Sequence, residues 1–317
     1  MVEMKKYLSK GPVVLLLAAL CCFLWGSATP SIKTGYALLQ INAQDTPSIL
    51  LFAGIRFMLA GVMVLLLQMI LTKRCIQFKR GSGKRIAILA LFQTIGQYFF
   101  FYVGLAHTSG VKGAIITGMN VFLAILVSSF IFHFEKLSKR KMIGCCLGFA
   151  GIVIINITPS AQLDASFSIM GEGFVLLAQV AYALSSGFIK KFGNEDDPVM
   201  LSGGQFFVGG IVLAGIGFVM GGQICFGNLS SYLITLYLAF ISAVAYTLWG
   251  ILLKYNPVSK VSIYGFMNPL FGVLLSAIIL QEGSQAFSLQ GIMALLLVVI
   301  GIMVVNLKGK NQKYQKN

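Results

Sequence analysis

Residues 198–253 read PVMLSGGQFFVGGIVLAGIGFVMGGQICFGNLSSYLITLYLAFISAVAYTLWGILL and contain no Asp, Glu, Lys or Arg. About 20 apolar residues cross a hydrocarbon core of about 30 Å, so this stretch is too long for one membrane helix and fits two. Gly221-Gly222-Gln223 and Gly227-Asn228-Leu229-Ser230-Ser231 supply the polar, glycine-rich turn between them. The reading places helices at 199–221 and 231–253. A fold that contains this pair is an all-α membrane protein.

Working outward, charged residues punctuate the chain and mark further spans at 12–32, 48–71, 86–106, 112–132, 141–158, 172–190, 259–280 and 287–307, ten in all. The composition agrees: 57% of the residues are hydrophobic and only 10% are charged, where a soluble domain carries about 25%. The first span follows Lys5, Lys6 and Lys10 and resembles a signal peptide. Its length exceeds the roughly 7–15 residues of a signal-peptide apolar region, so it reads as a retained first helix.

The net charge of +15 does not indicate nucleic acid, because the basic residues lie in short clusters between apolar spans. Alternating the spans puts 21 of the 24 Lys and Arg on one side of the membrane. These are the N-terminal lysines, loops 72–85 and 133–141, Lys190, Lys191, Lys254, Lys260 and the basic tail 308–317. Only Lys33 and Lys112 fall on the other side, and Arg56 lies inside a span. The positive-inside rule then gives a multi-pass protein of the cell membrane with both termini cytoplasmic. Acidic residues are not sorted: Asp45, Asp164, Glu172 and Glu282 fall outside.

The two halves, 12–158 and 172–307, resemble each other. Trp25–Lys33 aligns with Tyr182–Lys190, and Gly54-Ile-Arg56-Phe with Gly203-Gly-Gln205-Phe. Gly118-Met-Asn120 followed by Glu135 parallels Gly265-Phe-Met-Asn268 followed by Glu282, and Asn156 parallels Asn306. Five spans per half is an odd number, so the second half enters from the opposite side. Inverted repeats with a substrate site between them mark secondary transporters.

Several motifs carry a family resemblance: Leu24-Trp-Gly-Ser27, Gly-Ile-Arg56-Phe, Gln97-Tyr98 through Tyr102-Val-Gly-Leu-Ala106, and Ala245-Tyr-Thr-Leu-Trp-Gly-Ile-Leu-Leu-Lys254. With them the chain, over about residues 12–307, resembles the drug/metabolite transporter superfamily, specifically its EamA-type ten-helix members. The resemblance implies a central cavity lined by helices 1, 3, 4, 6, 8 and 9, with helices 5 and 10 at the periphery. It also implies export of amino acids, other metabolites or drugs. Gln205 in place of a second Arg is a departure within the repeat.

Arg56 is the one charged residue deep in a span, and an ionisable group at such depth is a functional candidate. It reads either as a contact for a substrate carboxylate or as a structural Arg that bonds helix-end carbonyls and snorkels outward. The other cavity candidates are Trp25, Thr29, Gln93, Gln97, Tyr98, Tyr102, Asn120, Gln179, Tyr182, Ser186, Tyr246, Trp249 and Asn268. Aromatic surfaces with a few polar groups suit amphipathic organic ligands, while the same residue types also join helices. Pro30 and Pro269 are expected to interrupt helices 1 and 9. Gly144-xxx-Gly148 fits close helix packing, either within the chain or in a homodimer. The six cysteines show neither a disulfide framework nor a zinc spacing and read as small buried hydrophobes. No metal, cofactor or enzymatic constellation is expected. The alternatives to a transporter are an uncoupled channel or facilitator and a membrane sensor.

Overall fold

The computed structural model describes residues 7–73, 79–134, 136–157, 167–193, 195–256, 261 and 263–306. Lys5, Lys6, Arg74, Cys75, Glu135, Thr158, Asp164, Lys260 and the tail 308–317 lie outside the described residues. Within them the chain forms ten main helices: α1 (Gly11–Leu38), α2 (Thr46–Thr72), α3 (Ser82–Ala106), α4 (Gly110–Phe130), α5 (Lys139–Ile157), α6 (Ile169–Phe192), α7 (Pro198–Val219), α8 (Leu229–Tyr255), α9 (Tyr264–Ile279) and α10 (Leu289–Asn306). Eight are long and apolar enough to cross a membrane. The other two are α9, which is shorter, and α5, whose first turn carries Lys139, Arg140 and Lys141.

The helix starts follow local chemistry. Asp197 accepts from the backbone of Val199 at 2.8 Å and Met200 at 3.1 Å, with Pro198 next in the first turn of α7. Asn228 accepts from Ser231 N at 2.9 Å to start α8. These caps satisfy donors that no helical carbonyl can reach. Between α7 and α8, Gly221 takes φ +87°, a conformation that favours glycine. Ser48 Oγ anchors the turn by accepting from Gln223 N at 2.8 Å.

Helix α2 lies along α7, and α5 along α10. Glycines bring the first pair together: Gly54 and Gly61 face Ala214 and Phe207, while Gly210 and Gly217 face Met58 and Leu51. Helix α1 packs on α8 and α9, α6 packs on α3 and α4, and the first half of α4 packs on α9. Gly144 sits against the Gly301 carbonyl and Val305, and Gly148 against the Phe122 ring. The small-residue face of α5 is thus used inside the chain.

Four expectations change. Lys33 is not in a loop. Helix α1 continues to Leu38, and the Lys33 ammonium donates to Leu105 O at 3.1 Å and Thr108 O at 2.6 Å. There it meets the electronegative C-terminal end of α3, which favours a cation. Pro30 does not interrupt α1, which is helical through it, as neighbouring helices allow. Pro269 sits in the first turn of the α-helical part of α9, after a 3₁₀ turn over Ile263–Phe266, where its missing N–H costs little. Cys146 and Cys225 are exposed, unlike the buried Cys21, Cys22 and Cys145.

The irregular backbone lies elsewhere. Helix α3 contains a π-helical stretch at Ala90–Gly96, α4 is broken at Gly118, and α6 opens with a π-helical turn at Ile169–Gly173. Such deviations recur at functional sites because they re-aim side chains without ending the helix.

Candidate functional site

Arg56 on α2 is 2% exposed. Its Nε donates to Leu238 O at 3.0 Å, Nη2 to Ser242 Oγ at 2.6 Å, and Nη1 to Tyr102 Oη at 3.2 Å. Leu238 and Ser242 are one turn apart on α8 and so share a face. The guanidinium carbon lies 4.0 Å from the Phe57 ring centroid, a cation–π distance. Arg56 therefore bonds a carbonyl, as the structural reading expects. That carbonyl is within α8 rather than at a helix end, and the side chain does not snorkel to the surface.

Gln205 on α7 is the residue that the sequence aligns with Arg56. Its Nε2 donates to Gln93 Oε1 at 2.7 Å, and its Oε1 accepts from Thr94 Oγ1 at 3.0 Å. Both partners lie in the π-helical stretch of α3. Gln93 Nε2 in turn donates to Tyr246 Oη at 3.3 Å. A carboxamide here both accepts from Thr94 and donates to Gln93, and a guanidinium, which only donates, could not do both.

Tyr246 leads into an aromatic group. Its ring stands 5.6 Å from Trp25 and 5.1 Å from Phe206, and Trp25 stands 5.2 Å from Trp249. Tyr98 packs on Phe57 at 3.9 Å and interacts with Tyr246 through its hydroxyl. Tyr182 of α6 is within Coulombic range of Tyr246. Helices α1, α3, α6 and α8 thus bring Trp25, Tyr98, Tyr182, Tyr246 and Trp249 together.

The predicted lining residues divide by burial. Trp25, Asn120, Tyr182, Ser186, Tyr246, Trp249 and Asn268 are half-buried, whereas Thr29, Arg56, Gln93, Gln97, Tyr98, Tyr102 and Gln179 are buried. Gln179 donates to Val175 O at 3.2 Å and Ser186 to Tyr182 O at 2.9 Å, each on its own helix. Gln97 Oε1 is buried without a donor among the described residues. No hydrogen bond joins the Asn120 or Asn268 side chain to another described residue. The sequence did not reveal Ser242, Thr94, Phe57 or Phe206 as partners. Only Gln205 carried a signal, through its alignment with Arg56.

The model of the EamA-like transporter family matches residues 12–157 and again residues 169–307. The chain belongs to the EamA-like transporter family. It is 28% identical over 312 residues to the uncharacterized transporter YvbV of Bacillus subtilis (strain 168), covering 97% of this chain and 96% of that protein. It is also 28% identical over 229 residues to the protein PecM of Dickeya dadantii (strain 3937), covering 69% of this chain and 73% of that protein. One solved crystal structure superposes with a TM-score of 0.66 at 17% identity over 96% of this chain and 99% of its own, a likeness of fold. As an EamA-like transporter the chain is a multi-pass membrane protein, and its aromatic group lies among the helices that the family resemblance places around a cavity.

Proposed function

We propose that this EamA-like chain is a secondary transporter that exports small organic metabolites, amino acids or drugs across the cell membrane by alternating access of two inverted five-helix halves. The observation that carries the reading is the half-buried group of Trp25, Tyr182, Tyr246 and Trp249. Asn120 and Asn268 add carboxamides with no protein partner among the described residues. Rings with a few open polar groups suit a neutral or zwitterionic amphipathic solute. The double family match supports the five-plus-five division. So does the crosswise bonding, in which Arg56 of α2 reaches α8 while Gln205 of α7 reaches α3. The clustering of Lys and Arg supports cytoplasmic termini.

The test is flux in proteoliposomes, using solutes first found by thermal shift against a metabolite library. A carrier gives saturable uptake and counterflow. Linear flux without counterflow assigns the chain to the channel class instead. Reporter fusions at each terminus test the orientation, and the proposal requires both on the cytoplasmic side.

A further inference from the structure

Among the described residues, the middle of the bundle holds one formal charge, the Arg56 guanidinium. Every described Asp and Glu stands at a helix end or in a loop. Asp45 caps α2, Glu172 opens α6, Glu195, Asp196 and Asp197 lead into α7, and Glu282 follows α9. Lys33 meets the carbonyls that finish α3. The ion pairs among the described residues join Arg85 to Glu195 and Asp196, and Lys112 to Glu172. Arg56 has neutral partners throughout: Leu238 O, Ser242 Oγ and Tyr102 Oη. It is hydrogen-bonded, but its charge is not compensated. That charge reaches the aromatic group. It acts through space on the hydroxyls of Tyr98, Tyr102 and Tyr246, and Tyr246 borders Trp25 at 5.6 Å.

We propose that Arg56 sets the charge preference of the site without touching the solute: the solute bears a carboxylate, and organic cations of the same shape are refused. The rings alone point the other way, because the faces of tryptophan and tyrosine attract cations. The Phe57 face is already taken by the guanidinium at 4.0 Å, and a second cation nearby meets an uncompensated like charge. In a low-dielectric interior that repulsion is strong, and counter-ions screen it far less than at a surface. An unpaired buried ion is costly, and an incoming anion offsets that cost. Asn120 and Asn268 are half-buried, have no described partner, and can donate N–H groups to a carboxylate. The guanidinium, 2% exposed, acts through its field and leaves the contacts to these carboxamides and the rings.

This inference rests on the transporter reading and narrows its solute class. The chain has two tryptophans, Trp25 and Trp249, and they stand 5.2 Å apart in the aromatic group. Tryptophan fluorescence of the purified protein therefore reports this site. The probes are 3-phenylpropionate, its neutral amide 3-phenylpropionamide and 2-phenylethylammonium, which share a ring and a two-carbon chain. The carboxylate is expected to bind about tenfold more tightly than the amide, and the ammonium at least about tenfold more weakly than the amide. Arg56→Gln removes the charge, and Ser242→Asp neutralises it in place, since Ser242 Oγ lies 2.6 Å from Nη2. In either variant the three affinities should fall within about threefold of one another. Arg56→Lys keeps the charge with fewer bonds, so it should melt lower and retain the ranking, which separates the field from a purely structural role. A parent that binds the three probes equally, prefers the ammonium or responds to none of them overturns the proposal. So does a ranking that survives Arg56→Gln or Ser242→Asp. Saturable counterflow of an organic cation would remove the charge preference and leave the transporter reading standing, whereas linear flux would remove the transporter reading whatever the ranking.

Discussion

Arg56 Nη2 and Ser242 Oγ meet at 2.6 Å across 186 residues of sequence, and Gln205 Nε2 meets Gln93 Oε1 at 2.7 Å. Each bond runs from the second helix of one half to the third helix of the other. Such bonds fix how the halves sit against each other near the middle of the bundle. The aromatic group borders them, since Tyr98 and Tyr102 lie under the guanidinium and Tyr246 accepts from Gln93.

The first prediction concerns Arg56. Lys cannot reproduce three bonds in three directions from one planar group. Arg56→Lys leaves the Ser242 or Tyr102 hydroxyl short of a partner and should cost about 1.5–3 kcal/mol, the range for hydrogen bonds to a charged group. A lowered melting temperature in detergent checks it. A melting temperature equal to the parent's would show that the Arg56 bonds do not hold the halves.

The second concerns Asn120 and Asn268. Their carboxamides bond no described residue, so Ala at either position should leave the unfolding free energy within about 1 kcal/mol of the parent. If they face the solute, each substitution should raise the KM for flux about tenfold, the loss of roughly one hydrogen bond of about 1.4 kcal/mol. Unchanged KM in both variants removes them from the site.

How far the sequence could be read follows from the physics of the signal. Hydrophobic runs and charge clusters are properties of the chain itself, so the ten helices and most of their ends were legible. Lys33 was misplaced because a positive charge ends a hydropathy run, while in the fold it meets the carbonyls at the end of α3. Pro30 was expected to break α1 because transporters use broken helices near their sites, but α1 runs through it, as a membrane helix packed by its neighbours tolerates proline. The π-helical stretch at Ala90–Gly96 had no composition signal at all. In the site, Gln93, Tyr98 and Tyr246 were legible as polar or aromatic residues at helical spacing. Their link through Gln205 spans 112 residues between Gln93 and Gln205, and no local pattern encodes it. Glu172 and Lys112 were placed on the same side of the membrane, but only the fold brings them to 3.0 Å.

The third prediction tests the packing of α5 on its neighbours. Gly148 faces the Phe122 ring at a separation that leaves no room for a side chain, and Gly144 faces the backbone of α10. Gly148→Leu should displace Phe122 and cost about 2–3 kcal/mol or more, since overpacking a tight core forces shifts in both partners. The variant should express poorly or melt early. A variant that folds normally but loses self-association would assign the glycine face to a homodimer.

The fourth prediction uses the opposite end of the bundle, where Arg85 of α3 donates from Nε to Asp196 Oδ2 and from Nη1 to Glu195 Oε2, each at 2.6 Å. Ser82 Oγ also donates to Asp196 Oδ1 at 2.9 Å. Asp196 lies in the loop between α6 and α7, so these bonds join the halves there. Burial pushes its carboxyl up, but the Arg85 and Ser82 bonds outweigh burial and hold it below the usual carboxylate range. A carboxylate with a depressed folded value stabilises the fold above its unfolded value, about 3.9, and loses that contribution as pH falls through the folded value. This tie should therefore contribute a constant amount between pH 8 and pH 5, and the parent should lose it only below about pH 4. Asp196→Asn should melt lower than the parent throughout the upper range, with the gap closing in strong acid. Melting curves of the parent and Asp196→Asn from pH 8 to pH 3 check it: a gap that does not narrow below about pH 4 would show that the Asp196 carboxylate does not hold this tie.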